Sequence, residues 1–96
     1  MHRNTYAVWW NEENGPRCVG KFEIVRLHAL LSGNGSRRMA VPLDDITSVE
    51  YGRGEVRVDR RTAARLHIGS LDAPGVLLEL TSRLAHAVQR KAPHPH

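Results

Sequence analysis

The chain has 96 residues, 41% of them apolar and 25% charged, with one cysteine and a formal net charge of +4. A chain of this length has room for one core, because it buries only a little more than about 60% of its unfolded surface, and the composition is that of a globular domain, not of a disordered one. Cys18 cannot form an internal disulfide, the start MHRNTYAVWW lacks the apolar run of a secretory signal, and no apolar stretch reaches the length of a spanning helix. These exclusions predict a soluble cytoplasmic domain whose contact with a membrane would be peripheral.

The charge is unevenly placed. Residues 49–96 hold eight Lys and Arg against five Asp and Glu, and residues 1–48 hold six against five. The bias favours anionic partners through long-range attraction and bears on association, not on chemistry.

In chain order, the aromatic and aliphatic residues from Thr5 to Trp10 predict a strand, and Asn14-Gly15-Pro16 in the following NEENGP predicts the turn of a hairpin. From Arg17 to Leu31, Gly20, Phe22 and Ile24 alternate with Lys21 and Glu23 until the pattern slips near Val25. That run is too long for one strand, so it reads as two strands joined by a tight bend or bulge around Val25 and Arg26. SGNGS at 32–36 is a turn. Met39, Val41 and Leu43 then alternate with Ala40, Pro42 and Asp44 in an edge-type strand, with Pro42 near its end. Ile46 to Tyr51 is a further strand, Gly52-Arg53-Gly54 turns the chain, Val56 and Val58 point inward, and Leu66 and Ile68 supply the inward side of a seventh strand ending at Gly69 and Ser70.

From Asp72 the period changes to that of a helix. Asp72 is placed to cap it, Pro74 suits its first turn, and Leu77, Leu80, Leu84 and Ala87 recur at helical spacing with Val76 and Val88 alongside. Glu79, Ser82, Arg83, His86 and Arg90 form the opposite face, and Glu79 and Arg83 are spaced for a weak pair. The sequence thus predicts a mainly β fold with one C-terminal helix, a single domain over 1–91, and a disordered tail over 92–96.

Seven strands followed by one amphipathic helix, with VPLDDITSV at 41–49, Gly20-Lys21-Phe22-Glu23-Ile24, and a leucine-rich strand ending in Gly33, resemble bacterial pleckstrin-homology-like and GRAM-like domains. The resemblance covers most of the chain. It implies two nearly orthogonal sheets forming a partly open seven-stranded barrel capped by the helix. It also implies a non-catalytic binding or scaffolding module that recognises a protein partner, with an extended peptide added between the Ile46–Tyr51 strand and the helix. The first hairpin departs from relatives that grip inositol phosphates with Lys and Arg, because Glu12 and Glu13 there would repel a phosphorylated head group.

Two further features are candidates for contact. Arg53, Arg57, Arg60, Arg61 and Arg65 fall within thirteen residues, with Arg37 and Arg38 available to extend them, and guanidinium forks match phosphate or carboxylate oxygens. They define an alternative reading, an electrostatic binder of nucleic acid or anionic lipid, against the bland reading of a solvated face. Trp9 and Trp10 are neighbours on a strand and point to opposite faces, so one of them needs a cover, a partner or a second copy of the chain. Homodimerisation through a tryptophan and an open sheet edge is therefore a third reading. The six histidines lack the paired spacing of a metal site, Asp44 and Asp45 are explained by a turn, and Cys18 has no neighbouring base in sequence. No catalytic residue, metal or cofactor is expected.

Overall fold

A computed structural model describes residues 5–72 and 74–91. Seven strands run in order, β1 Thr5–Glu12, β2 Cys18–Val25, β3 His28–Ser32, β4 Arg38–Pro42, β5 Ile46–Gly52, β6 Glu55–Arg60 and β7 Leu66–Ser70, and the helix α1 spans Pro74–Lys91. They form one antiparallel sheet in the order β4-β3-β2-β1-β7-β6-β5, curled into a half-barrel. The two halves expected to be separate sheets are one continuous hydrogen-bonded surface, because β1 pairs with β2 on one side and β7 on the other. The terminal strands β4 and β5 do not pair, and α1 packs beside that opening against β5, β6 and β7.

The predicted bend near Val25 is a two-residue reversal: Val25 pairs with His28, and Arg26 between them sits at φ 55°. The Arg53-Gly54 turn has φ of 55° and 77°, the positive values at both central residues that match the twist of a tight hairpin. One expectation is corrected. Leu43 does not continue β4 but opens a 3-10 helix, Leu43–Asp45, following Pro42. Its amide bonds the Leu27 carbonyl at 2.9 Å and its side chain is buried, so tertiary contact overrides the alternating pattern there.

Period-two patterning puts Tyr6, Val8, Trp10, Phe22, Leu31, Val41, Val56, Val58, Leu66 and Ile68 inside, and Leu77, Leu80 and Leu84 of α1 complete the core. At the α1 end of the barrel the Tyr6 hydroxyl donates to Glu79 at 2.8 Å. Burial, and then that hydrogen bond, push the Tyr6 phenol pKa upward. The cap proposed at Asp72 runs through Ala73, and the tail over 92–96 follows Lys91. Both Ala73 and the tail lie outside the described residues.

Candidate functional site

The five arginines of the candidate patch do not form one surface. Arg53 lies in the β5–β6 turn and Arg61 beyond the far end of β6, so about 20 Å of strand separates them. Arg57 points outward, donates to the Gly52 carbonyl at 3.3 Å and lies 4.0 Å from Glu55. Arg65 makes a 2.7 Å ion pair with Asp59, whose other oxygen accepts from Ser48. These two hydrogen bonds, that of Arg65 first, lower the Asp59 pKa.

Arg60 has a different position. It follows Val56 and Val58 on the inward side of β6, and its side chain is only 6% exposed. Its guanidinium donates to the Ala64 carbonyl at 2.6 and 2.8 Å and to Glu12 at 2.9 Å, and approaches Met39 Sδ at 3.7 Å. On the inward side of the sheet Arg60 thereby joins β1, β4 and the β6–β7 loop. Three of the five arginines are therefore engaged by carboxylates of the chain itself.

Trp10 is the buried tryptophan, and its indole N–H donates to the Ser32 carbonyl at 2.7 Å. Trp9 lies on the outer face opposite Gly69, where a side-chain carbon on that glycine would come within 1.9 Å of the indole ring. The Arg17 guanidinium stacks on the ring at 3.8 Å from its centroid. The cover that Trp9 needs is thus supplied within the chain, by a glycine on β7 and a cation from the first hairpin loop.

A constellation not legible from spacing lies close by. His67 donates through Nδ1 to Glu55 at 2.6 Å and through Nε2 to Glu13 when protonated, tying β7 to β6 and to the β1–β2 loop. Those two hydrogen bonds, that to Glu13 first, raise its pKa. The carboxylates hold opposite nitrogens of the ring and do not converge on one point; among the described residues no group of three or more His, Cys, Asp or Glu is arranged to hold a metal ion. Only the register, with His67 opposite Asn11 on one side and Arg57 on the other, brings residues 13, 55 and 67 together.

The β5 edge carries the second set of features. Beyond an irregularity between Ile46 and Ser48, β5 runs regularly to Gly52 as the last strand of the sheet. Tyr51 lies opposite the inward-facing Val56 and so shares the face that α1 covers, yet it remains 37% exposed because the sheet ends there. On α1, Glu79 bonds Tyr6 of β1, and Arg83, His86 and Arg90 line a cleft with Ile24 of β2. Helical geometry turns the opposite flank, with Leu78, Thr81, Ala85 and Val88, toward the β5 side. Leu78 is 57% exposed. This flank of α1 carries no charged side chain among these four residues, and β5 beside it is a terminal strand of the sheet. A cleft of about 450 Å³ lies elsewhere, on β2, β3 and β4, where Lys21 and Arg38 stand with Glu23 around Leu30.

This geometry has a counterpart among solved structures. A structure of inner membrane complex sub-compartment protein 3 from Toxoplasma gondii superposes with a TM-score of 0.68 at 17% identity, over 90% of this chain and 75% of that one. The likeness is one of fold, a seven-stranded antiparallel half-barrel with one C-terminal helix. No family model matches the chain, and no curated protein matches its sequence. Among the described residues no helix is long and apolar enough to cross a membrane.

Proposed function

We propose that this chain is a non-catalytic binding module that recognises a protein partner by pairing an extended segment of it with β5, in the seam beside α1. The observation that carries this reading is the position of β5: it ends the sheet, runs regularly from Ser48 to Gly52, and is flanked by Tyr51 and Leu78, both solvent-exposed. Main-chain hydrogen bonds to an open edge supply affinity, and side-chain pockets at alternate positions supply selectivity. The reading treats residues 1–91 as one pleckstrin-homology-like cytoplasmic domain, with the bacterial and GRAM-like affiliation supported by residues 20–24 and 41–49.

The electrostatic reading draws less from the geometry. Arg57, Arg60 and Arg65 are paired with Glu55, Glu12 and Asp59, which leaves Arg53 and Arg61 apart from each other as the remaining exposed cations of the set. Dimerisation through Trp9 draws less too, since Gly69 and Arg17 already cover that ring.

The test is to pan a displayed library of random peptides on the whole chain and map the selected peptides by amide chemical shifts. Shifts concentrated on Ser48–Gly52 and Leu78, with Glu50→Lys and Tyr51→Ser each weakening binding about ten-fold, support the assignment; ten-fold corresponds to losing about 1.4 kcal/mol. Peptides that map to the arginines and dissociate at high salt would place the site on the arginine patch instead.

A further inference from the structure

The sheet has two terminal strands, and β4 stands at the other end of the strand order from β5. Two main-chain bonds at its ends fix which of its groups are free. The Gly33 amide donates to the Arg37 carbonyl at 2.9 Å, and the Leu43 amide to the Leu27 carbonyl at 2.9 Å. Positions 37, 39, 41 and 43 therefore bond toward β3, while Arg38, Ala40 and Pro42 direct their main-chain groups to the open edge. The same three residues are solvent-exposed. Their order is self-complementary. Laid antiparallel to itself about Ala40, the strand overlaps along its full length, with Arg38 opposite Pro42 of the second copy. Pro42 has no amide to donate, but its carbonyl accepts from the Arg38 amide across the axis, so only the Arg38 carbonyl is left to water.

Charge selects the same arrangement. Arg37 and Arg38 stand at one end of β4 and Asp44 just beyond the other, all three exposed, and among the described residues none of these side chains has a hydrogen-bond or ion-pair partner. Antiparallel pairing about Ala40 sets the arginines of each copy beside the aspartate of the other, twice by symmetry. A register centred on Arg38 would oppose like charges instead. On the outer face Ala40 lies beside Leu30, and Leu30 beside Glu23, in the cleft of about 450 Å³. Across two small alanines the clefts of both copies join into one trough. We infer that two copies of this chain associate through β4 into one continuous antiparallel sheet, with Arg37 and Arg38 of each against Asp44 of the other. The contact is a single short strand, well below the area of an obligate dimer, so the association depends on concentration. It uses neither the β5 edge nor Trp9.

Sedimentation equilibrium of the full chain tests it, over about 10 μM to 1 mM to suit so small an interface. The mass is expected to rise from one chain to two and no further, with weaker association at high salt. Ala40→Glu sets two carboxylates face to face at the axis and should weaken association about ten-fold or more, with the urea midpoint unchanged because the position is exposed. Asp44→Lys and Arg37→Asp/Arg38→Asp should each weaken it about ten-fold, and the three substitutions together should return it to within about three-fold of the original. That rescue separates charge pairing from the mere loss of a turn residue at position 44. Amide shifts that grow with concentration should fall on Arg38 and Ala40. One-chain mass throughout, growth beyond two chains, charge variants without effect or without rescue, or shifts on Ser48–Gly52 instead would each overturn the assignment.

Discussion

Trp9 and His67 show how single residues on the outer face hold distant segments together. The Trp9 ring lies flat on Gly69 with Arg17 above it, so a hydrophobic side chain on the solvent side of the sheet is largely removed from water without reaching the core. His67 ties the loop residue Glu13 to Glu55 through a protonated ring. Because its pKa is raised in the folded chain, the folded state holds the proton more tightly than the unfolded state does. The clasp therefore contributes its full stability below the unfolded value near 6.5 and loses it as pH rises through the higher folded value. Urea midpoints measured across this range should fall with rising pH, and His67→Gln should flatten that part of the profile. An unchanged slope in the variant would show that another group titrates there.

At the scale of elements, the ends of strands carry polar residues that join neighbouring segments. Arg60 continues the inward side of β6 past the last valine and meets Glu12, which continues the inward side of β1 past Trp10. Its side chain is nearly buried, while Glu12 can return to water, so the loss on removing the arginine comes mainly from the Ala64 carbonyl and the disrupted packing. Arg60→Met is expected to lower stability by about 1–3 kcal/mol, whereas Arg61→Ser, on the exposed loop beyond, should stay within about 0.5 kcal/mol. Equilibrium urea unfolding of the two variants separates the structural arginine from the surface one; equal effects would contradict the structural role of Arg60.

For the whole molecule, a half-barrel needs a cover because its first and last strands do not meet. The helix supplies it, and Leu77, Leu80 and Leu84 are buried against β5, β6, β7 and the 3-10 helix. Leu80→Ala should cost about 2–5 kcal/mol, a large share of the 5–15 kcal/mol typical of a small domain. Denaturant unfolding followed by both tryptophan fluorescence and far-ultraviolet circular dichroism should show one coincident transition at a lower midpoint. Separate transitions would mean that sheet and helix unfold independently. The same cover leaves two flanks of α1 that differ in charge, one toward β5 with Leu78, Thr81, Ala85 and Val88 and a basic one with Arg83, His86 and Arg90.

The seven strands, their turns and the helix were legible in the sequence because period-two and period-3.6 patterns are local, as are the glycines and asparagine that permit positive φ. Alternation also correctly separated the faces of Val56, Val58, Leu66 and Ile68 from those of Arg57, Asp59 and His67. Spacing could not place Leu43 in a 3-10 helix, reveal Arg60 as an inward tie, or choose between Trp9 and Trp10, since those outcomes depend on which strands become neighbours. The arginines looked like one patch because thirteen residues of chain are short in sequence; in the fold Arg60 turns inward to Glu12, Arg57 and Arg65 meet Glu55 and Asp59 on the outer face, and Arg53 and Arg61 stand at opposite ends of β6. Glu13, Glu55 and His67 lie far apart in sequence and become one cluster only when β7 pairs between β1 and β6. Local patterning decides which face of each element is apolar, whereas strand register decides which polar groups meet, and register is a property of the folded sheet.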